Sequence, residues 1–101
     1  MSRLTKLISI DKLRQIIFSV LGYDDFNLTR SNNLYDRILF DYGCYANGVT
    51  AKRIKGCLFH YNMICGLGNN KFQEGENYKY RIKAKEINSI IKLLKEIEDE
   101  T

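Results

Sequence analysis

Proline and tryptophan are absent from this chain of 101 residues, and glycine occurs only seven times. A collagen-like fibre, which needs proline and a glycine at every third position, is therefore excluded. No apolar run approaches the ~18 residues that a membrane-crossing helix requires. The first residues lack the long apolar stretch and small-residue cleavage site of a signal peptide. Cysteine is scarce, and its three copies (Cys44, Cys57 and Cys65) make an odd number that argues against a full disulfide framework. Reduced thiols in a cytoplasmic protein are the expectation. Histidine occurs once, as His60, and the chain carries neither a Gly-x-Ser-x-Gly elbow nor a phosphate-binding loop. An enzyme is not expected. The length suits a single domain over residues 1–101 and excludes a large multi-domain enzyme.

What the chain does contain is a globular composition, 45% hydrophobic and 28% charged. Sixteen basic residues against twelve acidic ones give a net charge of +4. The charge is unevenly spread. Residues 1–49 carry six positive and five negative side chains, residues 50–85 eight and two, and residues 86–101 two and five. The concentration of cations in the middle of the chain points to a polyanionic partner, nucleic acid first. An ordinary basic, solvated face is the competing explanation. Asn, Ile, Lys and Tyr supply 9, 12, 10 and 7 residues. All four have AT-rich codons, as expected of a phage or other mobile element.

Hydrophobic periodicity predicts four helices. Over Ser9 to Leu21, Ser9 can cap, Ile10, Leu13, Ile17, Val20 and Leu21 recur at helical spacing, and Gly22 can terminate. Residues 23–33 (YDDFNLTRSNN) read as a loop with Phe26 and Leu28 as anchors into the core. A second helix is expected over Asn33 to Tyr42, with Leu34, Ile38 and Tyr42 on one face and Gly43 as the stop. Cys44 to Gly48 (CYANG) reads as a turn, since Asn47-Gly48 tolerates positive φ. A third helix is expected from a Thr50 cap, with Ile54, Cys57, Leu58 and Tyr61 on one face. After Asn62 the period changes. Met63, Cys65 and Leu67 alternate with their neighbours, as do Tyr78, Tyr80 and Ile82, and between them lies a turn-rich segment. That pattern predicts a two-stranded β-hairpin. A last helix is expected over Ala84 to Glu98, with Ile87, Ile90, Ile91, Leu94 and Ile97 as its buried stripe. The expected fold class is α+β: three to four helices, a two-stranded hairpin and a C-terminal helix.

The order helix, helix (Leu34 to Tyr42), CYANG turn, helix (Val49 to Tyr61), hairpin through NYKYRIK, closing helix resembles the winged helix-turn-helix class of DNA-binding domains over residues 9–97. The resemblance implies that the third helix is a recognition helix in the major groove, with Thr50, Lys52, Arg53 and Lys55 in or beside it. Arg53 would read guanine edges with its planar fork, and Lys52 and Lys55 would neutralise phosphates. Gly56 would let a backbone come close. Lys79, Arg81 and Lys83, at period two, would follow a phosphate ridge as a wing does. The same lysines would also suit a protected edge strand. No cofactor is expected, and a homodimer through the Ile/Leu stripe of the last helix is one assembly the sequence suggests.

Other constellations are less specific. Cys57, His60 and Cys65 follow a C-x2-H-x4-C spacing with Cys44 upstream, but Cys57 also belongs to an apolar stripe, and free cysteine behaves as a small hydrophobe. Asp24-Asp25 is a carboxylate pair whose adjacent side chains diverge in an extended chain. Tyr23, Tyr35, Tyr45 and Phe59 fall off the apolar stripes and are candidates for exposure. Together with Glu74 and Glu76 at the expected hairpin tip, they favour a rival function. In that reading the chain is a phage-encoded inhibitor that docks on a host protein, as anti-defence proteins such as anti-CRISPRs do.

Overall fold

The computed structural model describes residues 6–42, 47–67 and 78–99. In chain order these form β1 (Leu7–Ile8), α1 (Ile10–Leu21), α2 (Asp25–Tyr42), β2 (Val49–Thr50), α3 (Ala51–Asn62), a π-helical turn (Met63–Leu67), a 3₁₀ turn (Tyr78–Tyr80) and α4 (Ala84–Asp99). The class expected from sequence holds at this level: four α-helices and one antiparallel strand pair.

The strand pair is not where the alternation placed it. Met63–Leu67 winds as a π-turn and Tyr78–Tyr80 as a 3₁₀ turn, so the predicted hairpin is corrected in its described parts, while residues 68–77 lie outside the described residues. An apolar run of five residues has no period that separates strand from a tight helical turn. The antiparallel pair is instead β1 with β2, Leu7 opposite Thr50 and Ile8 opposite Val49. Gly48 does not take positive φ, as the turn reading supposed; Gly22 alone does so among the described residues. Gly48 is required for another reason: a Cβ there would lie 2.6 Å from the Ile8 carbonyl oxygen.

Caps set the helix limits. Ser9 accepts the Lys12 N–H at 3.1 Å, and Gly22, at φ 111°, donates its N–H to the Phe18 carbonyl at 2.9 Å. The reading of residues 23–33 as a loop is corrected from Asp25 onward. Asp24 caps α2 by accepting the Asn27 N–H at 3.0 Å. The buried face of this first half carries Arg30 and Ser31 rather than aliphatic residues. Arg30 donates to Asn27 Oδ1 at 2.6 Å and pairs with Glu86 of α4, while the Ser31 hydroxyl donates to the Gly22 carbonyl at 3.2 Å. Most of these deep polar atoms are bonded, as burial requires; Arg30 Nε is buried without a hydrogen-bond partner. Phe26 and Leu28 are not core anchors but exposed; Phe26 stacks on Tyr80 with ring centroids 5.4 Å apart.

The core lies among the four helices: Leu13, Ile17 and Phe18 from α1, Leu34 and Ile38 from α2, Ile54 and Leu58 from α3, Ile90 and Leu94 from α4. Each such side chain contributes about 1.5–3 kcal/mol by leaving water. The α4 stripe is therefore engaged within its own chain: Ile87, Ile90 and Leu94 are buried, with Ile91 and Ile97 packed against them. Among the described residues, no helix is long and apolar enough to cross a membrane.

Candidate nucleic-acid interface

Helix α3 begins where β2 ends, so the β1–β2 pairing fixes its N-terminus. Thr50 Oγ1 accepts the Arg53 N–H at 3.2 Å, which closes the first turn. Thr50 thus acts first as a cap, with its hydroxyl proton still available to an acceptor. Lys52 and Arg53 are exposed and Lys55 is half-buried. The Arg53 guanidinium sits 5.3 Å from the Tyr42 ring centroid, a cation–π contact that holds the fork at the surface. None of these three cations forms an ion pair among the described residues. The first turns of α1, α2 and α4 each contain a carboxylate (Asp11, Asp25 and Glu86), but that of α3 contains none. The positive end of its backbone dipole is therefore uncompensated within the first turn, and Lys52 and Arg53 add to it.

Lys52, Gly56 and Phe59 follow one another along the outward face of α3 at helical spacing, and Met63, its C-cap, continues the line. A Cβ at Gly56 would meet no heavy atom within 4 Å. Packing against the described residues therefore does not call for glycine here, although glycine inside a helix costs about 1 kcal/mol relative to alanine. Phe59 and Met63 are 56% and 52% exposed, so the C-terminal half of this face is apolar where the N-terminal half is cationic.

The second expected set, Lys79, Arg81 and Lys83, lies at the other end of α3. Asn62, the last residue of the helix, donates from Nδ2 to the Ile82 carbonyl at 2.9 Å and accepts the Ile82 N–H at 2.7 Å. The Tyr61 hydroxyl donates to the Tyr80 carbonyl at 3.1 Å. The alternation survives without a strand: Ile82 is buried and Tyr80 half-buried, whereas Lys79 and Lys83 are exposed and Arg81 half-buried. Eleven residues of helical rise separate this set from the α3 N-terminus, or about 16 Å. The structure does not bring the two cation sets together into one cluster. Lys83 has a further structural duty, since its N–H donates to Glu86 Oε1 at 2.9 Å at the start of α4.

Among the described residues, the cysteine–histidine spacing does not assemble a ligand set. Cys57 is buried, and its Sγ donates to Asp41 Oδ2 at 3.5 Å; His60 Nδ1 lies 3.5 Å from the same oxygen. Burial, then the hydrogen bond to Asp41, pushes the Cys57 thiol up to about 12. Cys65 is buried beside Tyr61, and its thiol is likewise raised by burial. Cys44 lies outside the described residues. Among the described residues, no three His, Cys, Asp or Glu side chains are placed to hold a metal ion. Asp24, of the carboxylate pair, is occupied as the α2 cap. The Asn27 N–H and side chain hold its carboxyl below the usual value of 3.8.

Of the four aromatics singled out for exposure, Tyr23 and Phe59 are exposed, Tyr35 is half-buried against the core, and Tyr45 lies outside the described residues. Phe40, not among the aromatics expected to be exposed, is the most exposed large apolar side chain described. Its position two residues off the Leu34–Ile38 stripe was the available signal. No protein-family model, curated protein or solved structure matches this chain.

Proposed function

We propose that this chain is a small duplex-DNA-binding regulator of a phage or mobile element, in which α2 and α3 act as a helix-turn-helix-like pair and α3 is the recognition helix. The observation that carries the reading is the first turn of α3: capped, free of carboxylates, and presenting exposed Lys52 and Arg53. Lys52 and Lys55 would neutralise phosphates, Thr50 would donate its hydroxyl proton to one, and Arg53 would read a guanine edge. Gly56 leaves room for a phosphate backbone to approach the helix. Lys79, Arg81 and Lys83, about 16 Å farther along, would reach phosphates on the far side of a groove about 12 Å wide. Among the described residues, the winged-helix likeness rests on α2, α3 and α4. The test is selection from a pool of random duplexes, followed by fluorescence anisotropy on the enriched sequence. Arg53→Ala is expected to weaken binding by about 1–3 kcal/mol and to relax the preference at one base pair. Wild-type affinity and preference in that variant would refute the assignment.

A second reading is favoured by Phe59 and Met63, which expose an apolar strip on the same face of α3. Here the chain would dock on a host protein and inhibit it. Immobilised chain would then retain one host protein reproducibly, Phe59→Lys would release it, and affinity for duplex DNA would be weak and insensitive to salt.

A further inference from the structure

We propose that the face of α2 bearing Asn33, Asp36, Arg37 and Phe40 is the interface of a two-fold symmetric dimer, its occupant being a second copy of this chain. Helix α2 buries Arg30, Ser31, Leu34 and Ile38. Asn33, Asp36, Arg37 and Phe40 recur at i, i+3, i+4 and i+7 on a different face. They line one side of an open cleft of about 510 Å³ whose other side is Tyr61 with Ile64 and Cys65 of the π-turn. Phe40 is 79% exposed and Ile64 46%. The Arg37 guanidinium, 5.1 Å from the Phe40 ring centroid, braces that ring at the surface.

One patch thus carries both an exposed aromatic knob and an open, partly apolar cleft. A two-fold axis applies the same patch to both subunits, so a surface holding knob and hole together can complement itself. The charges select the register. With two α2 helices antiparallel and the axis between Asp36 and Arg37, each Asp36 faces the partner's Arg37, and the ion pair forms twice. In the same register Phe40 faces the partner's Asn33, at the end of the partner's cleft, about two helical turns from the partner's own Phe40. A parallel arrangement would instead set Asp36 against Asp36 and Arg37 against Arg37, which is repulsive. Asp36 makes no ion pair among the described residues. Arg37 commits one nitrogen to Asp41 at 3.3 Å, leaving other N–H donors. The dimer face thus moves from α4, whose stripe is buried in its own chain, to α2 and the π-turn. It stands independently of the DNA-binding reading.

The test is the mass of the intact chain by sedimentation equilibrium, from micromolar to sub-millimolar concentration. The mass is expected to rise from 11.8 kDa towards twice that value. Asp36→Arg alone and Arg37→Glu alone are expected to remain monomeric, since each sets like charges across the axis. An equimolar mixture of these two variants is expected to regain the doubled mass, because every cross-axis pair is then opposite in sign. Phe40→Glu is expected to be monomeric, with unchanged helical ellipticity because Phe40 lies outside the core. A wild-type chain that stays monomeric throughout would overturn the proposal and assign the patch to another partner. It would also be overturned by single charge variants that still dimerise, or by a mixture that does not associate.

Discussion

The two glycines that flank the start of α3 should respond to alanine with opposite signs. At Gly56 the added methyl group enters open space, with no heavy atom within 4 Å. Nothing is lost in packing, and the helix interior gains the difference in propensity, about 1 kcal/mol. For a domain near this size that raises the melting temperature by about 4–8 °C. At Gly48 the same methyl group would lie 2.6 Å from the Ile8 carbonyl oxygen and 3.0 Å from Leu7 Cβ. The first neighbour is backbone engaged in the β1–β2 pair, so relief requires the strands to separate, at a cost of about 1–3 kcal/mol. Thermal and urea denaturation followed by circular dichroism read both effects directly. Destabilisation by Gly56→Ala would show that the outward face of α3 is not open, and a neutral Gly48→Ala would show that the strands do not approach so closely. If α3 meets DNA through this face, Gly56→Ala also weakens binding while it strengthens the fold. A loss of affinity with a gain in stability cannot come from misfolding.

Three other perturbations test the framework. Arg30→Met removes the ion-pair partner of half-buried Glu86 and unties α2 from α4, with an expected loss of about 1–3 kcal/mol in urea denaturation; adding Glu86→Gln should recover part of it, and a loss within ~0.5 kcal/mol would contradict the buried pairing. Asp24 caps α2 with a carboxyl held below 3.8, so its contribution is present above that value and is lost as pH falls through the lowered one. The difference in urea midpoint between wild type and Asp24→Ala should therefore be constant near neutrality and close in acid; a difference that persists in acid would contradict the cap. Cys57, with its thiol near 12, and buried Cys65 should resist alkylation at mildly alkaline pH and react once the chain is unfolded, as peptide mass mapping would show. Rapid labelling of Cys57 in the native chain would contradict its burial.

Helices α1, α3 and α4 were legible because each has an unbroken apolar stripe, such as Ile54, Cys57, Leu58 and Tyr61 in α3, and α1 and α3 also have a cap in Ser9 and Thr50. The first half of α2 was hidden because its inward positions are Arg30 and Ser31, whose partners Glu86 and Gly22 are remote in sequence or lie in the preceding turn. The strand pair was hidden for a related reason. Leu7 and Ile8 meet Val49 and Thr50 across some forty residues, and two-residue strands have no period to detect. The cations of α3 could be named from their spacing. That Lys79–Lys83 sits at the far end of the helix depends on Asn62 clasping Ile82, a tertiary contact that no local pattern encodes. Phe40 stands two residues off the Leu34–Ile38 stripe, and only the packing of α2 shows how far its ring stands out from the core.

The central claim, that the N-terminal cations of α3 engage a nucleic-acid backbone, is tested most directly by the salt dependence of binding to a duplex of fixed sequence. Phosphate contacts from Lys52 and Lys55 give a slope of log affinity against log salt of at least about 1.8 in magnitude, steeper if Lys79, Arg81 and Lys83 also engage, and Lys52→Ala reduces it by about 0.9. A flat dependence, or a steep one that Lys52→Ala leaves unchanged, would place any nucleic-acid contact elsewhere on the molecule.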